Sequence, residues 1–260
     1  MASEKKFAVL IDADNVSDKY IKIILDEVSN EGVATYKRIY GDWTRPELAA
    51  WKGVLLDNSI MPIQQYSYTT GKNATDSAMI IDAMDILYSK QVDGFCIVSS
   101  DSDFTRLAAR LRESGMQVLG MGEQKTPKPF ISACNRFKYL DILAQVEEPE
   151  KPAKAAAAGK QPKPAEKSAP KGNKKAAAPA SNLKTIRSAI RTIVVENSDE
   201  DNWISVAQLG NLLGKRYPDF DVRNFGFSKL TPFVESLGLF EGKSVSTGND
   251  GSRAVYIRLK

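Results

Sequence analysis

Asp12, Asp76, Asp101 and Asp103 each stand where an apolar run ends or a helical pattern begins. Gathered by a fold, four such acids repel and raise one another's pKa, so a convergent cluster is costly unless a cation neutralises it. The chain contains no histidine, and oxygen-only ligands favour a hard octahedral ion, Mg²⁺ or Mn²⁺, over zinc or copper. An ion of that kind lowers the pKa of a water and stabilises the charge developing on a phosphate, so the pattern predicts phosphoryl chemistry. Asp76 and Asp103 equally suit the ordinary role of acids at a helix N-terminus. The metal reading therefore rests on the joint arrangement. Asp12 differs, because a carboxylate ending a buried apolar strand seldom serves stability.

A doubly wound sheet would bring these acids together. Phe7–Ile11, Phe95–Val98 and Gln117–Met121 read as buried central strands, and Ala34–Tyr40 and Pro62–Tyr68 as further strands. Between them, Tyr20–Asn30, Pro46–Asn58, Thr75–Lys90 and Phe104–Ser114 carry helical spacing. The order β-α-β-α-β-α-β-α-β predicts an α/β three-layer domain with a mostly parallel sheet. Ligands of such folds bind outside the carboxyl ends of the strands, where the strand order reverses. Asp12 and Asp14 follow the first strand there, Asp101 and Asp103 follow the strand ending at Val98, and Thr75 is placed to cap the helix that Asp76 opens.

Composition removes whole classes of chemistry. Without histidine, Ser-His-Asp and Cys-His mechanisms are excluded, and Cys96 and Cys134 suffice for neither a disulfide framework nor a zinc site. The polar start Met1–Lys6 is no signal peptide, and no apolar run approaches the roughly 18 residues that span a bilayer. The expected location is cytoplasmic. The net charge of +4 is unevenly spread: residues 1–146 carry 17 basic and 19 acidic side chains, whereas residues 151–180 carry eight lysines against Glu166. That middle stretch of Lys, Ala, Pro and Gly lacks the apolar surface to offset chain entropy, so it predicts a flexible linker with a coil span of roughly 30 Å. The expected organisation is a first domain over 1–146, a linker over 147–181 and a second domain over 182–260.

The three motifs Leu10-Ile-Asp12-Ala-Asp14-Asn15, Gly71-Lys-Asn-Ala-Thr-Asp76 and Val98-Ser-Ser-Asp101-Ser-Asp103-Phe104, in this order, resemble those of the NYN domain family, a branch of the PIN-like nucleases. The resemblance implies metal-dependent cleavage of RNA, with Asp12, Asp76, Asp101 and Asp103 as metal ligands and Asn15 orienting Asp12 or a metal-bound water. Lys72, Thr75, Ser99 and Ser100 would lie near a phosphate. Asp12-Ala-Asp14 also resembles the first motif of haloacid-dehalogenase-type phosphatases, in which the first Asp is a nucleophile and the second a general acid. That alternative leaves the Thr75-Asp76 helix start unexplained.

In the second domain, Ile186, Ile190 and Ile193 mark one helix, Val206–Leu213 a second and Phe227–Leu237 a third, before a hairpin around residues 248–251 and a closing strand Ala254–Leu259. Trp203-Ile-Ser205, Tyr217-Pro218 and Phe233-Val-Glu-Ser-Leu-Gly238 resemble a LOTUS, or OST-type, winged helix-turn-helix domain, which implies RNA binding or protein docking. Arg216, Arg223, Lys229 and Lys243 are the candidate phosphate contacts, whereas Tyr217, Phe220 and Phe225 read as core anchors. Two functional classes stay open: a ribonuclease whose second domain selects substrate, and a non-cleaving RNA-binding adaptor. Homo-oligomerisation, and endo- against exonucleolytic cutting, are left open as well.

Overall fold

The computed structural model describes residues 4–66, 74–147, 183–246 and 253–260, so the predicted linker beyond its first residue, Lys72 and the turn of the predicted hairpin lie outside the described residues. The N-terminal part runs β1 (Lys6–Asp12), α1 (Ile21–Ser29), β2 (Val33–Gly41), α2 (Trp51–Asp57), β3 (Met61–Gln64), α3 (Ala74–Ser89), β4 (Gly94–Val98), α4 (Thr105–Glu113), β5 (Gln117–Gly122), α5 (Lys128–Ala133), β6 (Arg136–Tyr139) and α6 (Leu140–Glu147). The strands form one parallel sheet in the order β3-β2-β1-β4-β5-β6. It has one strand more than the sequence pattern suggests, because β6 and its flanking helix α5 are too short to show a period. β3 ends at Gln64 rather than Tyr68; it is an edge strand, the position that tolerates Pro62. The expected helix Pro46–Asn58 divides into a 3-10 turn at Pro46–Leu48 and α2, joined through helical backbone at Ala49 and Ala50.

Every β1 residue after Lys6 is buried, as a strand covered on both faces requires. Phe7, Val9 and Ile11 face a core with residues of α1, α2 and α6, whereas Ala8 and Leu10 face a second core with residues of α3, α4 and α5. Those two cores make the three layers. Cys96 and Cys134 are fully buried, as small hydrophobes.

The C-terminal part comprises α7 (Leu183–Asn197), β7 (Ile204–Ser205), α8 (Val206–Arg216), α9 (Leu230–Ser236), β8 (Phe240–Ser246) and β9 (Arg253–Leu259), with an antiparallel sheet in the order β7-β9-β8. The Ser205 hydroxyl accepts from Gln208 N at 3.1 Å and so caps α8. The third helix starts later than its pattern implies: a 3-10 turn at Val222–Phe225 ends on Gly226 at φ +80°, and α9 begins only at Leu230. Phe220 and Phe225 pack on buried Phe233, with ring centroids 6.1 and 5.0 Å away, and are the core anchors expected.

The two parts touch as well as being joined through the chain. Phe137 N donates to the Pro218 carbonyl at 2.8 Å, satisfying a donor of edge strand β6. Beside it, Tyr139 Oη donates to Asp219 at 3.0 Å, Lys138 Nζ lies 2.6 Å from Asp221 and 3.4 Å from Glu27, and Arg223 reaches Glu27 Oε1 at 2.6 Å and Asp221 Oδ2 at 2.8 Å. Two acids and two cations thus alternate across the junction. Among the described residues no helix is long and apolar enough to cross a membrane.

Candidate metal centre

The sheet order reverses between β1 and β4, and the acids gather at the carboxyl ends of these two strands. Asp12 is the last residue of β1, and Asp101 and Asp103 follow β4 in the turn leading to α4. Asp76 stands in the first turn of α3. Asp76, Asp101 and Asp103 each offer a carboxylate oxygen within 4.8 Å of the others. An octahedral Mg²⁺ with bonds of about 2.1 Å holds neighbouring ligands about 3 Å apart and opposite ones about 4.2 Å apart, so this trio needs little movement to close on such an ion. Three hard, acidic oxygen donors suit Mg²⁺ or Mn²⁺ chemically.

Asp12 stands apart from the trio. It is fully buried and already engaged: Oδ2 accepts from Asn15 Nδ2 at 2.7 Å and from Ser99 Oγ at 2.8 Å, and Oδ1 accepts from Asp14 N at 3.0 Å. Burial raises its pKa above the usual carboxylate value, against the lowering effect of these hydrogen bonds. Asp76 shows the electrostatic stress most directly. Burial, followed by the charges of Asp12, Asp101, Asp103 and Asp14, pushes its pKa up to about 6. A helix N-terminus ordinarily favours an ionised acid, so these opposing effects win by a clear margin.

The remaining sequence candidates take different places. Ser99 is fully buried and bridges the site, donating to Asp12 and accepting from Asp101 N at 3.1 Å. The Ser100 hydroxyl accepts from Glu123 N at 2.9 Å. Both serines therefore set the loop, in addition to lying near it. The Asp101 side chain accepts from Asp103 N at 2.9 Å, so the cap of this turn is Asp101 rather than Asp103, for which that role was foreseen. Because α3 begins at Ala74, Thr75 lies inside the first turn and is buried, rather than capping the helix from outside. Asp14 is exposed and pairs with Arg45 at 3.0 Å. Arg223 is held by Glu27 and Asp221 at the domain junction, which removes it from the solvated surface expected of a phosphate contact. Arg216 and Lys229 are exposed.

Gly122 is a positioning residue that the sequence pattern did not reveal. A Cβ at this end of β5 would stand 2.6 Å from the Ser99 carbonyl and 3.0 Å from Ser100 Oγ, so a bare backbone lets the Ser99–Asp101 turn settle. The available signal was a glycine at the end of a buried strand.

A three-layer doubly wound sheet carrying a carboxylate trio at its reversal point defines the class of this protein. The chain belongs to the NYN domain family, whose model matches residues 6–141, and an OST-HTH/LOTUS domain model matches residues 181–251. No curated protein matches. Among solved structures, the chain is similar to a protein of unknown function from Vibrio parahaemolyticus, at 19% identity and a TM-score of 0.45, over 53% of this chain and 93% of that one.

Proposed function

We propose that this protein is a divalent-metal-dependent ribonuclease that hydrolyses RNA phosphodiester bonds, with its C-terminal domain holding or selecting the substrate. The observation that carries the reading is the convergence of Asp76, Asp101 and Asp103 within 4.8 Å at the sheet's reversal point, in a chain of the NYN domain family. These three residues would hold Mg²⁺ or Mn²⁺, which when bound supplies an activated water and neutralises charge on the phosphate. Asp12 adds its charge behind the trio and, through Ser99, ties the end of β1 to the turn bearing Asp101. Asn15 holds the Asp12 carboxylate in place, as the family resemblance implies. The phosphatase alternative fits less well, because its nucleophile would be the fully buried Asp12, whose oxygens are all engaged in hydrogen bonds.

The test incubates the full chain with labelled single-stranded and structured RNA in Mg²⁺, Mn²⁺ or EDTA. Cutting in metal alone, lost in Asp101→Asn, is expected; binding without cutting under every metal would leave the adaptor reading in its place. A parallel titration sharpens the role of Asp12. If Asp12→Asn removes metal-induced thermal stabilisation as thoroughly as Asp101→Asn does, Asp12 coordinates directly.

A further inference from the structure

At the opposite ends of the parallel strands from the acids, the two domains line an open cleft of about 710 Å³. Its N-terminal wall is the beginning of strands: Lys5 before β1, Gln117 opening β5 and Arg136 opening β6, with Arg112 from the end of α4. Its C-terminal wall is α8, which contributes Lys215 and Arg216 from its last turn. Five cations face one carboxylate, Glu31, and that carboxylate is taken by Arg136 at 2.5 Å. Arg112 is fixed by donating to the carbonyls of Ser132 and Ala133 at 3.0 and 3.2 Å and keeps its charge. The space continues past Pro218 into a second of about 210 Å³, bordered by Lys138 and Asp221 of the domain junction.

We propose that this interdomain cleft binds the phosphate backbone of a single-stranded nucleic acid, as a site separate from the metal centre. Pockets for drug-like molecules are lined mainly by apolar and aromatic groups, whereas this one presents cations and amides, the equipment of backbone contact. Its volume exceeds a single phosphate, and its charge comes from both domains. α8 also keeps Gly214 on this wall, where a Cβ would meet no atom within 4 Å. A helical glycine costs about 1 kcal/mol relative to alanine, and packing within the chain gives no reason for this one. Close approach of a strand to the helix backbone does. From Lys6 to Asp12 the sheet separates the two sites by roughly 20 Å at about 3.3 Å per residue, so the cleft holds a flank of a strand whose cut segment lies elsewhere.

Only the identity of the polyanion rests on the ribonuclease reading, and the test is arranged to fail independently of it. Binding of a labelled single-stranded RNA to the full chain is followed by anisotropy in EDTA, across a salt series. Lys215→Gln/Arg216→Gln, both exposed, should weaken binding about tenfold at low salt and flatten the log–log salt slope by about 0.7 for each phosphate no longer neutralised. Lys5→Gln on the facing wall should weaken it further, and Lys184→Gln/Arg187→Gln on exposed positions of α7 should leave it nearly unchanged. Thermal melts confirm that each variant folds. An unaltered slope in the α8 variant, or an equal loss in the α7 control, overturns the proposal, and no effect of Lys5→Gln refutes a site shared by two domains. A protein that cuts RNA yet binds it indifferently to these changes sinks the cleft alone; one that responds to them yet never cuts sinks the ribonuclease reading alone.

Discussion

Carboxylates of the same chemistry are pushed in opposite directions in two places: Asp12 and Asp76 upward, Glu27 and Asp221 downward. At the sheet's reversal point Asp76 is driven up to about 6 by burial and then by Asp12, Asp101, Asp103 and Asp14. At the domain junction burial also acts to raise Glu27 and Asp221, but Arg223 hydrogen bonds and the Lys138 charge outweigh it and hold both below the usual carboxylate range. One cluster carries its cations in the chain and is complete. At the other, burial and like charge prevail at Asp76, which is the pattern of a place prepared for an added cation. Acids that hold the molecule together are thereby told apart from acids that stress it.

The largest expected effect breaks this contrast on the stressed side. Asp101→Asn or Asp76→Asn removes a negative charge from the trio, and an amide at position 101 can still accept from Asp103 N. Cleavage should fall by at least ~100-fold, corresponding to the several kcal/mol that a bound cation contributes. Metal-free thermal stability should hold or rise, because repulsion is relieved. A drop in stability together with activity would show that these acids serve the fold. On the complete side the prediction reverses. Arg223→Ala strands Glu27 and Asp221 with only Lys138, and breaking a buried pair by one partner costs about 3–5 kcal/mol, of which the lower end suits a side chain 28% exposed. Denaturant titration should show this loss, and small-angle scattering should show the domains parting, with cleavage of a short RNA little changed. Arg223→Met combined with Glu27→Gln and Asp221→Asn should be milder than Arg223→Ala alone.

Much of the stressed site was readable in the sequence, because an acid that closes an apolar strand announces itself along the chain. Asp12 at the end of β1 and Asp101 after β4 follow from the doubly wound pattern and its reversal. The complete site was not readable. Glu27 and Arg223 lie 196 residues apart, and nothing local distinguishes Glu27 from the other polar residues of an amphipathic helix. Arg223 looked like a phosphate contact for the same reason: a cation's partner across a domain junction leaves no periodic trace. β6 escaped because four residues cannot establish an alternation, and the domain contact escaped with it, since β6 is the edge that Pro218 covers.

A middling effect joins the two kinds of residue. Gly122→Ala forces a methyl group against the Ser99 carbonyl, at 2.6 Å before relaxation. Overpacking of this kind costs about 1–3 kcal/mol. Because Ser99 links Asp12 to the Asp101 turn, displacement of the acids should lower cleavage by about 10–100-fold, the range for a residue that orients ligands. Metal titration of the folded variant checks it: unchanged affinity with unchanged cleavage would reduce Gly122 to a packing residue.

The smallest effect at neutral pH is the acid response of the junction, and its sign follows from the lowered carboxylates. A group whose folded pKa lies below its unfolded value stabilises the fold above the unfolded pKa, and that stabilisation is lost as pH falls through the folded value. For Glu27 and Asp221 the unfolded values are about 4.3 and 3.9, so docking is unaffected from neutrality down to about pH 5 and weakens below about pH 4. Scattering or limited proteolysis across this range should show the domains separating in acid. Glu27→Gln/Asp221→Asn supplies the contrast: its docking is weaker throughout and should respond less in that window. If wild type and variant lose docking in parallel as pH falls, other groups govern the junction, and the four-charge cluster is a consequence of docking rather than its cause.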